Sequence, residues 1–232
     1  MATKVKIRDY YKILVVGQPG KGKTYSFREM NKDRTGFINA ESKPLPFEGA
    51  FKYHAKPKKF AGALRAIEDY SKNKDIDVIV VDSLSAIFDM LLEEMRNNFR
   101  GFDVWDNYNR AITKLMNLLK SVEKEMVITA HYEIINIEGE PEKRVKTKGK
   151  EWEGMIEREF TLVVYAESKF KDDKPEFYFK LVGEGMSTKC PPAIFGEGVY
   201  RIPNDAKFLV EKAVEFSKKS ETEIEKEDEV FS

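Results

Sequence analysis

Cysteine is all but missing from this chain: Cys190 stands alone among 232 residues. One thiol forms no internal disulfide and no cysteine-based zinc site, which fits a reducing compartment. Histidine is nearly as scarce, and with only His54 and His131 on offer a zinc hydrolase is disfavoured. Long apolar runs are missing too. The best are ILVV at 13–16 and VIVV at 78–81, far short of the roughly 18–20 residues that cross a membrane. The first residues, MATKVKIRDYYK, lack an apolar segment ahead of a small-residue cleavage site. No secretory leader is therefore expected, and the protein is placed in the cytoplasm with no membrane partner. Net charge is absent as well, 40 Lys and Arg facing 40 Asp and Glu. As an average, that balance argues against a nucleic-acid partner, an inference that fails if the charges are segregated.

What is present suffices for a core. Hydrophobic residues make up 41% of the chain and aromatics 12%, the composition of one globular domain with at most a small appendage. KILVV (12–16) is a β-branched apolar run ending at a glycine cluster, the pattern of a buried strand. A first helix is expected over 25–31, a second strand over 35–40, a helix over 58–72 and a third strand over 77–83. Leu84, Ile87, Phe88, Leu91, Leu92 and Met95 then mark one helical face, and Tyr108, Ile112, Leu115, Leu119 and Val122 another, before a fourth strand at 126–130. Strands alternating with helices imply a parallel sheet with right-handed crossovers. Beyond His131 the texture changes. Residues 136–152, polar and holding Gly139, Pro141 and Gly149, read as a long loop. FTLVVY (160–165) and FYFKLV (177–182) read as a β-hairpin at the sheet edge, and an amphipathic helix follows PND (203–205). The domain is expected over 1–216, with 217–232 as an acidic, disordered tail.

Gly17-Gln18-Pro19-Gly20-Lys21-Gly22-Lys23-Thr24 matches the phosphate-binding loop pattern and lies where its mechanism needs it, between an apolar strand and a helix. Glycines let successive backbone N–H groups point inward at phosphates, helped by the positive end of the following helix. Lys23 is then expected to reach the β- and γ-phosphates and Thr24 to bind Mg²⁺, with Tyr25 completing the nucleotide-binding set. Asp82 ends the third strand, where a carboxylate holds the Mg²⁺ shell in such sites. Its competing role is a helix N-cap, which Ser83 also fits. Glu41 follows FINA at the carboxyl end of the second strand, where ligands gather in α/β sheets. It reads as a general base for the attacking water, or as an ordinary loop glutamate. His131 ends the fourth strand, either structural or donating a hydrogen bond to the γ-phosphate and transmitting its presence to the loop behind.

Taken in order, these motifs resemble the RecA-like recombinase core. FINAE resembles the second-strand segment that carries that family's catalytic glutamate, and VIVVDS precedes a long amphipathic helix as it does there. The layout is most similar to the small phage RecA-core ATPases of the Sak type, which act in single-strand annealing and recombination. The likeness rests on specific motifs over residues 10–135 and on layout alone to 216. It implies an α/β fold, a RecA-like P-loop NTPase core with a mostly parallel sheet, helices on both faces and a C-terminal β-hairpin extension. It also implies ATP and Mg²⁺ as cofactors, Lys23, Thr24 and Asp82 as their ligands, Glu41 as the catalytic glutamate, and a ring or filament of identical subunits. A phage-encoded chain of this kind would work in the host cytoplasm. His131 stands where bacterial recombinases use glutamine and resembles the histidine of the smaller relatives. Full recombinases carry a further DNA-binding domain, for which the nine residues before Tyr10 leave no room, so DNA contacts are expected from the core loops.

Two loops qualify. RNNFRGFDVW (96–105) interleaves Arg96 and Arg100 with Phe99, Phe102 and Trp105, while KRVKTKGK (143–150) sets Lys143, Arg144, Lys146, Lys148 and Lys150 ahead of Trp152. Rings that stack on bases beside cations that meet phosphates suit single-stranded DNA without sequence choice. The plainer readings are a core-capping aromatic turn and a solvated charge run. A third cluster, FKYHAKPKKF (51–60), equally suits a subunit contact. By the same resemblance ATP sits between subunits, with Lys189 or Arg201 reaching across. The expected function is an ATPase that binds single-stranded DNA in recombination or annealing, alongside a single-strand-binding or replication protein. The alternatives are a DNA-binding protein holding ATP as a structural ligand and a helicase or loader motor. A small-molecule kinase is disfavoured because the basic loop holds one arginine where a phosphate lid would carry several. A GTPase is disfavoured because neither NKDR nor NKDI places an aspartate three residues after its asparagine. Charge turns out to be segregated: residues 221–232 hold six acids and one lysine, leaving the body at +5. That tail is expected to compete with DNA, dock a partner or stay solvated.

Overall fold

Alternation along the strands divides the core in two. The computed structural model describes residues 10–230, with side chains through residue 218. The leaderless N-terminal segment expected above and the acidic side chains beyond 218 lie outside the described residues. In chain order the elements are β1 (Lys12–Val16), a short 3-10 helix (Thr24–Glu29), β2 (Thr35–Asn39), β3 (Tyr53–Ala55), α1 (Phe60–Lys72), β4 (Val78–Asp82) and α2 (Leu84–Asn98). There follow α3 (Asp103–Ser121), β5 (Glu125–Ala130), β6 (Tyr132–Ile137), β7 (Glu140–Val145) and a second 3-10 helix (Ile156–Glu159). The chain closes with β8 (Leu162–Lys171), β9 (Lys174–Lys180), α4 (Pro192–Phe195), β10 (Arg201–Pro203) and α5 (Ala206–Val230). No helix among the described residues is long and apolar enough to cross a membrane.

The main sheet runs β10-β9-β8-β1-β5-β4-β2-β3. From β8 to β3 every pairing is parallel, and β9 turns back antiparallel on β8. Leu14, Val16, Ile38, Val81 and Ile128 face α1, α2 and α3; Ile13, Val15, Phe37, Val80 and Val127 face α5 and Phe27 of the first 3-10 helix. Helices on both faces bury both sides of every central strand, which is why KILVV and VIVV carry no polar alternation. In α2, Leu84, Ile87, Phe88 and Leu91 are fully buried, each stabilising the packing by about 1.5–3 kcal/mol. The expected fold class, a mostly parallel sheet with helices on both faces and a C-terminal hairpin, is therefore present. Register then aligns the carboxyl ends: Val16 pairs with Ala130 and Asn39 with Asp82. Gly17, Glu41, Asp82 and His131 consequently leave the sheet at one edge.

Four local expectations need correction. Residues 136–152 are not one long loop, because β6 and β7 pair from Tyr132↔Val145 to Ile137↔Glu140 as a separate hairpin. Its turn, Glu138-Gly139, has both residues at positive φ, +53° and +96°, as a two-residue hairpin connection requires. The first helix is shorter and tighter than the expected 25–31 span. The 51–60 cluster, a third candidate for DNA contact and equally for a subunit contact, turns its two phenylalanines inward: Phe51 stacks on Phe37 at 4.6 Å and Phe60 is buried at the start of α1. Finally, α5 runs to Val230 with no break at residue 216, so the backbone of 221–230 is helical where a disordered tail is expected.

Candidate functional site

The loop after β1 takes its shape from glycine. Gly20 and Gly22 hold φ of +76° and +82°, a region that side chains strain to enter, and a Cβ on Gly22 would stand 2.9 Å from the Phe177 ring. Lys23 follows and folds back over the loop: its Nζ donates to the Gly17 and Gln18 carbonyls at 2.8 and 3.1 Å and lies 3.2 Å from His131 Nδ1. Burial pulls this ammonium down to a pKa of about 8, with Asp82 and Glu41 opposing. Gln18 anchors the loop sideways, its Nε2 donating to the Tyr132 carbonyl at 3.0 Å.

Asp82, only 3% exposed, ends β4 between two hydroxyls. Thr24 Oγ1 donates to its Oδ2 at 2.7 Å, and Thr129 Oγ1 donates to Oδ1. Burial pushes the Asp82 carboxyl up, and the two hydroxyl hydrogen bonds pull it back. Ser83 takes the N-cap of α2, its Oγ accepting from Ala86 N at 3.3 Å, so Asp82 is not needed there. One hydroxyl and one carboxylate suit Mg²⁺, which keeps waters and phosphate oxygens as its remaining ligands. No cluster of three or more His, Cys, Asp or Glu side chains exists among the described residues to favour a softer metal.

Glu41 sits across from this pair. Its Oε1 lies 3.3 Å from His131 Nε2 and accepts from Ser83 Oγ at 3.1 Å, while Oε2 accepts from Lys43 Nζ at 2.6 Å. The His131 hydrogen bond first, then Lys43 and Ser83, hold the carboxyl well below the carboxylate range against partial burial. His131 Nδ1 stands 3.2 Å from both Lys23 Nζ and the Gly17 carbonyl; with the ring proton at Nε2, the histidine accepts from Lys23 and donates to Glu41. His131 thus joins the phosphate-loop lysine to the candidate base. Its own backbone N–H donates to Ser85 Oγ at 2.9 Å.

These groups line a cleft of about 410 Å³. Pro44, Leu45 and Pro46 form an apolar wall, and Tyr25 and Phe177 lie near the loop with ring centroids 6.0 Å apart. Arg28 covers Tyr25 at 4.4 Å. A cationic, glycine-wrapped end beside aromatic and prolyl surfaces matches the two halves of a nucleotide.

Sequence reasoning missed several of these residues. Phe177 comes from β9, far along the chain, and nothing local marks it. Lys43 and Thr129 look like any loop lysine and strand threonine. Asn204, only 3% exposed, has no hydrogen-bond partner for either side-chain amide atom among the described residues, and its Nδ2 lies 3.2 Å from where a Gly22 Cβ would be.

Candidates outside the cleft separate into two groups. Arg96, Arg100 and Phe102 are exposed, Phe102 at 89%. Phe99 and Trp105 instead pack on the core, Trp105 edge-on to Tyr108 at 6.1 Å, which corrects their reading as free stacking rings. In the second segment Lys146 and Lys150 are exposed. Lys143 is paired with Glu167 at 3.2 Å, Arg144 with Glu142 at 2.5 Å and Lys148 with Asp89 at 2.8 Å, so more than half of this run is neutralised, by the adjacent Glu142 and by two acids distant in sequence. The two segments meet, Gly149 lying against the Trp105 ring. Lys189 donates to the Arg158 and Phe160 carbonyls at 3.0 Å each and is occupied within its own chain. Arg201 is exposed on β10, over the Tyr178 ring at 5.8 Å.

Comparison with known proteins adds two findings. The family model described as an AAA domain matches residues 9–198. The chain is also similar in structure to the KaiC-like protein PH0186 from the hyperthermophilic archaeon Pyrococcus horikoshii OT3, with a TM-score of 0.46, 14% identity, and coverage of 78% of this chain and 81% of that one. No curated protein matches the chain.

Proposed function

The chain belongs to the AAA domain family, and from that premise we propose that it is a Mg²⁺-dependent ATPase acting on single-stranded DNA in annealing or strand exchange. The observation that carries this reading is the convergence of Lys23, the Thr24–Asp82 pair and the His131–Glu41 pair on one cleft. The backbone N–H groups of the loop and Lys23 bind the phosphates. Thr24 and Asp82 would hold Mg²⁺, which would supply positive charge to the phosphates. Glu41, kept ionised, takes a proton from the water that attacks the γ-phosphorus as the bond to the bridging oxygen breaks.

The nucleic-acid half of the proposal draws on position. β6 begins directly after His131, and Lys146 N donates to the His131 carbonyl at 2.8 Å, so a shift of His131 with the phosphate would reach Lys146 and, four residues on, Lys150. Together with Arg96, Arg100 and Phe102, these form an exposed cation-and-ring surface of the kind that tracks a single strand. Assembly into a ring or filament in the cytoplasm, beside a single-strand-binding or replication protein, belongs to the same proposal.

Turnover of ATP with and without single-stranded DNA tests it. Stimulation by DNA is expected, together with loss of nucleotide binding in Lys23→Ala. No turnover in either condition, with nucleotide affinity unchanged in Lys23→Ala, overturns the ATPase reading; turnover indifferent to DNA overturns the DNA half alone.

A further inference from the structure

Lys43 is an exposed lysine whose backbone is held like a site residue. Beyond β2 the chain turns under three restraints. Ala40 N and Glu41 N both donate to the Asp82 carbonyl, at 2.7 and 3.3 Å. Ser42 takes a left-handed φ of +57° with its N–H on the Asn39 carbonyl. Asn39, itself 2% exposed, donates its side-chain amide to the Lys43 carbonyl at 2.7 Å. A solvated surface lysine needs no buried amide to place it. The result is that Glu41 and Lys43, two residues apart, project into the same cleft.

Their contacts form a row along the cleft wall. Lys23 Nζ lies 3.2 Å from His131 Nδ1, His131 Nε2 lies 3.3 Å from Glu41 Oε1, and Glu41 Oε2 lies 2.6 Å from Lys43 Nζ. A cation thus stands at each end, with the candidate base between them. Building on the ATPase reading above, we propose that Lys43 is a further catalytic residue that supplies, from the same chain, a cation to the γ-phosphate. A phosphoryl group offers three charged oxygens where Glu41 offers one, and the Lys43 side of the pair is open to water, 74% exposed against 17% for Glu41, so the ammonium keeps its hydration as it changes partners. The four-carbon stem gives Nζ the reach to move between partners. Transfer of the ammonium to a γ-oxygen does two things at once. It places positive charge where the transition state accumulates negative charge, and it frees Oε2 of Glu41 to receive the proton of the attacking water.

The test uses the full chain with Mg²⁺, ADP and a non-hydrolysable imido analogue of ATP. In Lys43→Ala, ADP affinity is expected to stay within about twofold while affinity for the analogue falls about tenfold, the cost of losing one hydrogen bond to a charged group. Turnover falls by about 10²-fold, as when a single transition-state donor is removed. Lys43→Arg restores part of the discrimination between analogue and ADP. Equal changes for both nucleotides, or none for either, overturn the proposal. So does faster turnover in Lys43→Ala, which would make Lys43 a restraint on Glu41 and nothing more. A parent chain that binds neither nucleotide takes down the ATPase reading and this proposal with it, whereas a parent that binds and hydrolyses ATP isolates the role of Lys43.

Discussion

Lys12 and Lys23 sit at opposite ends of β1, and both are held by burial at a pKa of about 8. A cavity adjoins each, about 510 Å³ beside Lys12 and about 410 Å³ beside Lys23. A perturbed lysine next to a cavity is the usual pointer to a functional site, yet one such pair is at the end without the chemistry. Lys12 Nζ donates to the Val122 and Lys124 carbonyls at 2.7 and 2.8 Å, where α3 ends. It satisfies the C-cap carbonyl of α3 and one in the turn before β5, a structural use of a cation. Lys23 keeps different company: a left-handed glycine loop, a hydroxyl–carboxylate pair, a histidine and a second carboxylate. The comparison teaches that convergence of complementary groups identifies the site, whereas cavity volume and a shifted lysine do not.

Each end also has a carboxylate, and exchanging them breaks the comparison most sharply. Glu41→Gln is expected to lower turnover by about 10²–10⁴-fold, the usual worth of a general base, with ATP affinity retained. Glu125, buried at the amino end and accepting from Tyr11 N at 2.6 Å, tolerates Glu125→Gln without a change in kcat. Equal losses in steady-state turnover would mean that neither carboxylate is the base.

The lysines come next. Lys23→Ala weakens ADP binding by about 10- to 100-fold, the worth of hydrogen bonds to charged groups. Lys12→Met leaves that affinity within about twofold but lowers stability by roughly 1–3 kcal/mol, because two buried carbonyls lose their donor. Isothermal titration and urea unfolding separate the two effects. Nucleotide affinity that falls in Lys12→Met without a loss of stability would erase the distinction.

The smallest effect is a pH dependence. Free Lys23 loses its proton above about 8, and phosphate binding calls the proton back. ADP affinity is therefore expected to weaken as pH rises above about 8, by at most about tenfold per unit. Lys12 faces no nucleotide and adds no slope. In stability the two lysines behave alike. Between about 8 and the ordinary lysine value of 10.5 the unfolded chain binds more protons than the folded one, so their contribution to stability rises with pH. Binding titrations of the parent and Lys12→Met should share one pH slope.

Much of the site is legible along the chain because its signals are local. Four central strands show as short apolar runs, and the glycine spacing before Lys23-Thr24 marks the loop by what its backbone must do. Asp82, Glu41 and His131 are findable because each directly follows such a run. The hairpin at 132–145 escapes the same reading because β6 and β7 are mostly half-buried, with Val145 their one buried residue, so burial imposes no clear apolar alternation. Composition marks RNNFRGFDVW as aromatic and basic, but which rings turn inward depends on the α2–α3 connection. That geometry buries Tyr108, packs Phe99 and Trp105 on the core and leaves Phe102 outside.

The amino-acid sequence by itself determined the class of fold, the phosphate loop and the strand ends that carry Asp82, Glu41 and His131, since apolar periodicity and glycine spacing act over a few residues. Only the tertiary structure decided which charges are already neutralised, as in Lys148 with Asp89. It also put Phe177 and Asn204 beside Gly22 and Lys43 against Glu41. Those outcomes depend on which distant segments the sheet register and the turns bring within a few ångströms, and no local pattern encodes such distances.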